Sequence, residues 1–191
     1  MRAKVRWDWI DATGDAAAAL RHHIGCSDLV VVSRRLDSPS LLDMRRIAGE
    51  LIVRPGKPIL AVPQGCPRLA LDRVLLVWDG SPGVVAAMQA ATPILAQATA
   101  TTILTVADGR AGLPAEDAAT YSSRHGVAAR IEPWQSSQGC TAQTLLTAIA
   151  ARAPDRVVMG GFGHSRLEEA LLGGVTRTML DESPVPVLFA Y

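Results

Sequence analysis

The stretch DRVVMGGFGHSRLEEALLGGVTRTML, residues 155–180, decides the fold, because an apolar run passes through glycines into a helical pattern. Residues 156–160 form a short β-branched run that ends in glycine, which predicts a buried strand. Residues 165–180 have apolar positions at helical spacing, interrupted by Gly173 and Gly174. Glycine costs about 1 kcal/mol relative to alanine inside a helix, so this pair indicates a helix break. The stretch therefore predicts a βα unit with a glycine-rich turn.

The same alternation of β-branched runs and alanine- and leucine-rich runs extends from residue 73 to the C-terminus. Consecutive βα units of this kind predict a parallel sheet that is covered by helices on both faces. We expect an α/β fold with a doubly wound parallel five-stranded sheet of order 3-2-1-4-5. The predicted strands are 74–78, 101–106, 127–132, 156–160 and 185–190, and the predicted helices are 84–97, 114–124, 141–152 and 165–180.

The N-terminal part repeats the second half of this unit. DLVVVSRR from Asp28, followed by GKPILAVPQG, aligns with DRVVMGGF from Asp155, followed by SPVPVLFAY, with about one residue of slippage. Ahead of Asp28, a predicted strand at 4–9 and a predicted helix at 15–24 correspond to the third strand and third helix. We therefore predict a partial copy at 1–65 with strands 3–5 of the repeat, a linker at 66–72 and a complete unit at 73–191.

The partial copy lacks the two βα units whose strands lie between strands 3 and 4 of the doubly wound order. Open sheet edges invite pairing with another strand. We therefore expect the partial copy to pack against the complete unit or another chain. We also expect homo-oligomers that form through the terminal strand PVLFAY or through these open edges. Trp7 and Trp9 alternate on the predicted strand 4–9 and are expected to cover apolar surface.

Composition narrows the classes of partner and compartment. The 191-residue chain is 49% apolar, has a formal net charge of +1 and contains no run of lysines or arginines, so no nucleic-acid partner is expected. Cys26, Cys66 and Cys140 are far apart, which indicates neither a disulfide framework nor a zinc cluster. No apolar run has the length of a signal peptide or membrane span, which predicts a cytoplasmic protein without a membrane partner.

Two loops meet where the strand order reverses, which is where doubly wound sheets bind ligands. WDGSPG, residues 78–83, supplies the carboxylate of Asp79. GGFGHSR, residues 160–166, supplies a glycine backbone and, at Ser165, a helix cap. Backbone amides and a helix N-terminus bind anions, so a nucleotide is the expected ligand.

The second glycine pair has two interpretations. Gly173 and Gly174 can end one helix and expose the amides of the next, with the hydroxyl of Thr176 beside them. Alternatively, these small residues only allow the helix to pack close to the sheet. In the partial copy Ser33 stands opposite Gly160, and the glycines are lost. No phosphate cradle is expected there.

The complete unit resembles the universal stress protein family, whose nucleotide-binding members carry Gly-x2-Gly-x9-Gly followed by Ser or Thr. Gly160, Gly163 and Gly173 fall on this spacing, whereas position 174 is glycine. GHSRLEEALLGGVTR further resembles the last domain of bacterial tandem members. The resemblance implies that the C-terminal unit binds ATP with Mg²⁺, or another adenine nucleotide, at one site per chain. The residues so assigned are Asp79 near the adenosine, Val106 at the adenine, and Gly160, Gly163, His164, Ser165, Gly173, Gly174, Val175 and Thr176.

No catalytic residue is assigned. GHSRL lacks the second glycine of a GxSxG elbow and no GxxxxGK[ST] loop occurs, so we expect binding, with at most weak ATP hydrolysis. His22, His23 and Cys26 lie on one predicted helix, with Cys26 four residues after His22 and three after His23, but such a half-site is usually coincidental, and no metal is assigned. The alternative is a nucleotide-free dimerisation or interaction module of the same fold, which Gly174 favours.

Overall fold

The computed structural model describes residues 6–11, 13, 16–33, 56–66, 68–106, 112–134, 142–161 and 174–191. Within these residues the chain forms five α-helices and seven β-strands. The strands are β1 (Val30–Ser33), β2 (Ile59–Val62), β3 (Arg73–Trp78), β4 (Ala100–Val106), β5 (Ala129–Trp134), β6 (Arg156–Gly160) and β7 (Val187–Ala190). The helices are α1 (Ala16–His23), α2 (Pro82–Leu95), α3 (Ala115–Arg124), α4 (Ala142–Arg152) and α5 (Gly174–Glu182).

The described strands form one sheet with the order β1-β2-β7-β6-β3-β4-β5. The five strands of the C-terminal unit pair in parallel in the order β5-β4-β3-β6-β7. β3 is central in this unit, because Leu76 pairs with Ile103 on one side and with Val158 on the other. The predicted doubly wound order 3-2-1-4-5 is confirmed.

Each face of the sheet carries its own apolar core. Side chains alternate along β3, so Leu75 and Leu76 point to opposite faces. The core around Leu76 includes residues of α2 and α3, and the core around Leu75 includes residues of α4 and α5. Ile24, which follows α1, also belongs to the core around Leu75. The sheet is therefore the middle layer of three, which explains why its strands are apolar on both faces.

β1 and β2 pair in the same register as β6 and β7. Val30 pairs with Ile59, and at the matching positions of the aligned stretches Val157 pairs with Val187. In each case the amide of the valine donates a 3.0 Å hydrogen bond to the carbonyl of the proline that precedes the neighbouring strand. The two aligned stretches thus form parallel strand pairs of the same register.

β2 joins the C-terminal unit by pairing antiparallel with β7, and Leu60 lies opposite Leu188. β7 therefore has both edges paired within the chain, with β6 and with β2. The edge of β7 through which the sequence predicts association of two chains is thus paired with β2 of the same chain. In the described sheet, β1 is the edge strand of the N-terminal part.

The predicted strand at 4–9 is wrong over its described residues, 6–9, which form no secondary structure. Trp7 and Trp9 are 84% and 77% exposed, so they do not cover apolar surface. The indole N–H of Trp9 instead donates to Asp11 Oδ1 at 2.8 Å. In a doubly wound sheet, strand 3 forms its hydrogen bonds with strand 2, and the predicted partial copy has no strand 2. Alternation of apolar and polar residues therefore does not suffice to form a β-strand here, because the neighbouring strand is missing.

Candidate nucleotide-binding site

The turn after β3 is held by hydrogen bonds to its own side chains. Asp79 Oδ1 accepts from the amide of Ser81 at 2.9 Å, and Ser81 Oγ accepts from the amide of Val84 at 3.3 Å, which caps α2. This cap explains why α2 starts at Pro82 rather than at the predicted residue 84. Gly80 has φ +73°, a left-handed conformation that favours glycine. Asp79 is thereby fixed at the carboxyl end of β3, half-buried.

Gly160 ends β6 directly beside the first turn of α2. Val77 pairs with Met159, so Asp79 and Gly160 both follow this pair at the same edge of the sheet. A Cβ atom on Gly160 would lie 2.7 Å from the backbone nitrogen of Val84. Gly160, the first residue of the second predicted loop, therefore lies against the start of α2, which follows the first loop. The missing side chain of Gly160 is needed for the strand and the helix to approach each other.

Gly112 and Leu113 pack against the turn after β3, a contact that the sequence interpretation missed. The amide of Leu113 donates to the Gly80 carbonyl at 3.0 Å, and the indole N–H of Trp78 donates to the Leu113 carbonyl at 2.8 Å. A Cβ atom on Gly112 would lie 2.8 Å from the carbonyl oxygen of Asp79. The available signal was the glycine and the proline that flank Leu113, which mark a tight loop. Trp78 is 3% exposed and belongs to the core.

Val106 reaches the same edge of the sheet from β4. Trp78 pairs with Thr105, so Val106 is in line with Asp79 across the β3–β4 pair. Its other neighbour is Trp134 at the end of β5. The structure thus brings Asp79, Gly160 and the backbone of Val106 to one edge.

α5 starts at Gly174, where the sequence predicted that a helix resumes. Gly174 is exposed and a Cβ atom there would meet nothing within 4 Å, so close packing does not require glycine at this position. Val175 packs against the core around Leu75, and Thr176 is 5% exposed. Both side chains are thus at least partly buried in the first turn of α5.

Four predicted site residues, Gly163, His164, Ser165 and Gly173, lie outside the described residues. Asp79 uses Oδ1 for the turn, and its Oδ2 has no hydrogen-bond partner among the described residues, so Oδ2 remains an available acceptor. Within the same residues, no three His, Cys, Asp or Glu side chains are grouped so that they could hold a metal ion.

The universal stress protein family model matches residues 70–190. This match covers the sheet of the C-terminal unit and both loops of the crevice. The chain belongs to the universal stress protein family. Among curated proteins, none matches the sequence significantly. Of the helices that the structure describes, none has the length and apolar character needed to cross a membrane.

Solved structures share the fold of this universal stress protein at low sequence identity. A universal stress protein from Archaeoglobus fulgidus DSM 4304 aligns with TM-score 0.68 and 14% identity over 93% of this chain and 65% of its own. A functionally unknown protein from Pseudomonas aeruginosa PAO1 aligns with TM-score 0.64 and 15% identity over 93% of this chain and 68% of its own. A universal stress protein in complex with cAMP aligns with TM-score 0.49 and 21% identity over 63% of this chain and 97% of its own. The chain therefore spans 65% of the first of these proteins.

Proposed function

We propose that this universal stress protein binds ATP, or another adenine nucleotide, in the crevice between Asp79 and Gly160. The observation that supports the proposal is the half-buried Asp79 carboxylate, which lies where the strand order reverses and has one oxygen without a hydrogen-bond partner among the described residues. In this proposal the ribose hydroxyls donate to Asp79 and the adenine lies against the backbone of Val106. The glycines of the second loop and the N-terminus of α5 would hold the phosphates with Mg²⁺.

Binding without rapid turnover is the activity that we propose. Of the described residues assigned to the crevice, Asp79 is the titratable one, and the turn already uses one of its oxygens. Hydrolysis of ATP requires a general base that reaches the attacking water, or a nucleophile with a base beside it. A single carboxylate that is held in a turn therefore supports nucleotide binding better than nucleotide hydrolysis. Such a protein would report nucleotide levels during a stress response in the cytoplasm.

Equilibrium titration of the purified chain with a fluorescent ATP derivative tests the proposal. We expect saturable binding with one site per chain and competition by unlabelled ATP. Gly163→Val places a β-branched side chain in the loop predicted to approach the phosphates, and it should abolish this binding. An absence of saturable binding to the wild-type chain, or equal binding to the variant, would show that the crevice is not a nucleotide site.

The alternative proposal is a nucleotide-free interaction module. Two observations favour it: position 174 lacks the hydroxyl of the nucleotide-binding pattern, and β1 lies at the sheet edge with Val31 56% exposed. Adenine absorbance that stays with the protein through desalting would favour the nucleotide proposal. A dimer that is seen by light scattering and carries no nucleotide would favour the alternative.

A further inference from the structure

The strand β1 has a free edge in the part of the sheet that the structure describes. It pairs in parallel with β2 on one side, and no described strand lies on its other side. The amide of Val30 donates to the Pro58 carbonyl at 3.0 Å, so the backbone of Val30 faces β2. Alternate residues of a parallel strand direct N–H and C=O to the same neighbour, so Val31 and Ser33 direct theirs to the free edge.

The equivalent position in the complete unit shows what is missing beside Val31. When Asp28 is aligned with Asp155, Val31 corresponds to Val158. Val158 is 0% exposed, because β3 pairs with β6 and residues of α2 share the apolar core of Val158. Val31 is 56% exposed. An apolar side chain and a backbone edge are thus uncovered at the same point of β1.

β1 lacks the features that commonly prevent edge strands from pairing with other chains. These features include a proline, a charged side chain such as lysine, and a β-bulge. The sequence of β1 is VVVS, which contains neither proline nor a charged residue. Consecutive residues of β1 pair with consecutive residues of β2, so the strand has no bulge. β1 is therefore able to pair with a further strand.

The charges around Val31 complement a second copy of the same strand. In the sequence, Asp28 precedes Val31 by three residues, and Arg34 follows it by three. An antiparallel pair of two β1 strands that is centred on Val31 therefore has position 28 of each chain opposite position 34 of the other. Opposite charges that face each other across two strands stabilise the pair. A twofold axis repeats every contact, so both Asp–Arg pairs would form together.

The backbone geometry of β1 agrees with the same centre. In an antiparallel ladder, a hydrogen-bonded pair of residues exchanges both N–H···O bonds. Val31 directs both of its backbone groups to the free edge, so two copies of Val31 can form such a pair. Leu29 and Ser33 lie two residues to either side and can form the next ones. A register centred on Val31 thus satisfies the charge pattern and the hydrogen bonding together.

We propose that the chain forms a homodimer in which two β1 strands pair antiparallel, centred on Val31. The two sheets then continue into each other, and the two Val31 side chains lie side by side on the face that each chain leaves exposed. A contact through one strand of each chain is small, so the dimer is weak and depends on concentration. β2 and β7 separate β1 from β6, so this interface is independent of nucleotide binding in the crevice.

Sedimentation equilibrium without added nucleotide, at chain concentrations up to about 0.5 mM, tests the proposal. The wild-type mass should rise with concentration from the 20.2 kDa of one chain towards twice that value. Val31→Lys places two like charges opposite each other and should raise the dissociation constant at least about tenfold. Ile10→Lys is the matched control, because Ile10 is also 56% exposed and lies outside the sheet, and it should dimerise like the wild type. A wild-type chain that stays monomeric, or a Val31→Lys dimer as strong as that of the control, would overturn the proposal.

Reversal of the charges tests the register. Asp28→Arg and Arg34→Asp each place like charges opposite each other, so each should weaken the dimer. The double variant Asp28→Arg/Arg34→Asp restores opposite charges and should dimerise like the wild type. If both single variants dimerise as strongly as the wild type, the strands do not pair in this register. A double variant that is folded by circular dichroism but does not regain the dimer leads to the same conclusion.

Discussion

Leu60 and Leu188 lie directly opposite each other in the antiparallel β2–β7 pair, and they are counterparts in the two aligned stretches PILAV and PVLFA. A residue that pairs with its own counterpart lies beside a local twofold axis. Both leucines are buried, at 2% and 0% exposure, in one apolar core. The N-terminal strands are thus an integral part of the sheet.

Replacing Leu60 with alanine should therefore destabilise the whole protein. Loss of a buried leucine side chain costs about 2–5 kcal/mol through lost burial and the cavity that remains. Urea unfolding followed by far-UV circular dichroism measures the change. Val31→Ala, at an exposed position of β1, is the control and should change the free energy of unfolding by less than about 0.5 kcal/mol. A Leu60→Ala variant as stable as this control would show that β2 does not pack on β7 in solution.

Replacing Gly160 with alanine should destabilise the end of β6 against α2. The added Cβ would lie 2.7 Å from the Val84 nitrogen and 3.0 Å from the Gly83 carbonyl carbon, both in the backbone. Overpacking of this kind costs about 1–3 kcal/mol. Gly25→Ala is the matched control, because its Cβ would meet nothing within 4 Å. The midpoints of thermal unfolding of the two variants are compared. Equal midpoints would mean that β6 and α2 are further apart than in the structure.

The order of the C-terminal sheet was predictable because parallel strands must be joined by crossovers, and alternating βα patterns leave few orders open. The pairing of β2 with β7 was not predictable from the sequence. An apolar strand such as PVLFA looks the same whether its neighbour belongs to the same chain or to another chain. Sequence periodicity identifies an edge that needs a partner but does not identify the partner.

The candidate site likewise has features that the sequence predicts and features that it does not. The meeting of Asp79 and Gly160 follows from topology, since both lie at the carboxyl ends of adjacent parallel strands. The glycine and proline that flank Leu113 mark a tight loop, but they do not predict that Leu113 contacts Gly80, which is distant in sequence. The burial of Arg156 also depends on a segment that is distant in sequence, because its hydrogen-bond partner is the carbonyl of Ala70 in the linker.

The exposure of Trp7 and Trp9 predicts a large quenchable component in the tryptophan fluorescence. Iodide reaches exposed indoles, and Trp7 is 84% and Trp9 77% exposed, whereas Trp78 is 3% exposed. We expect the Trp7→Phe/Trp9→Phe double variant to lose most of the iodide quenching while its unfolding midpoint is unchanged. Quenching that survives in the double variant, or a lowered midpoint, would place these side chains against the protein surface.

Replacing Asp79 with asparagine should weaken nucleotide binding and preserve the fold. The amide oxygen of asparagine can still accept the hydrogen bond from the Ser81 amide, so the turn and the cap of α2 remain. The substitution removes the carboxylate charge that would accept from the ribose, and hydrogen bonds to charged groups contribute about 1.5–3 kcal/mol. Affinity for the fluorescent ATP derivative should therefore fall by about tenfold to a hundredfold, since 1.4 kcal/mol is a factor of ten.

Asp117→Asn is the matched control for this loss of charge. Asp117 is exposed in the first turn of α3, so its replacement changes the net charge of the chain by the same amount without altering the crevice. Titration of both variants at one ionic strength separates a local effect of Asp79 from a general electrostatic effect. A similar affinity loss in both would assign the effect to net charge. Full affinity in Asp79→Asn, with the fold intact by circular dichroism, would show that the carboxylate does not contact the nucleotide.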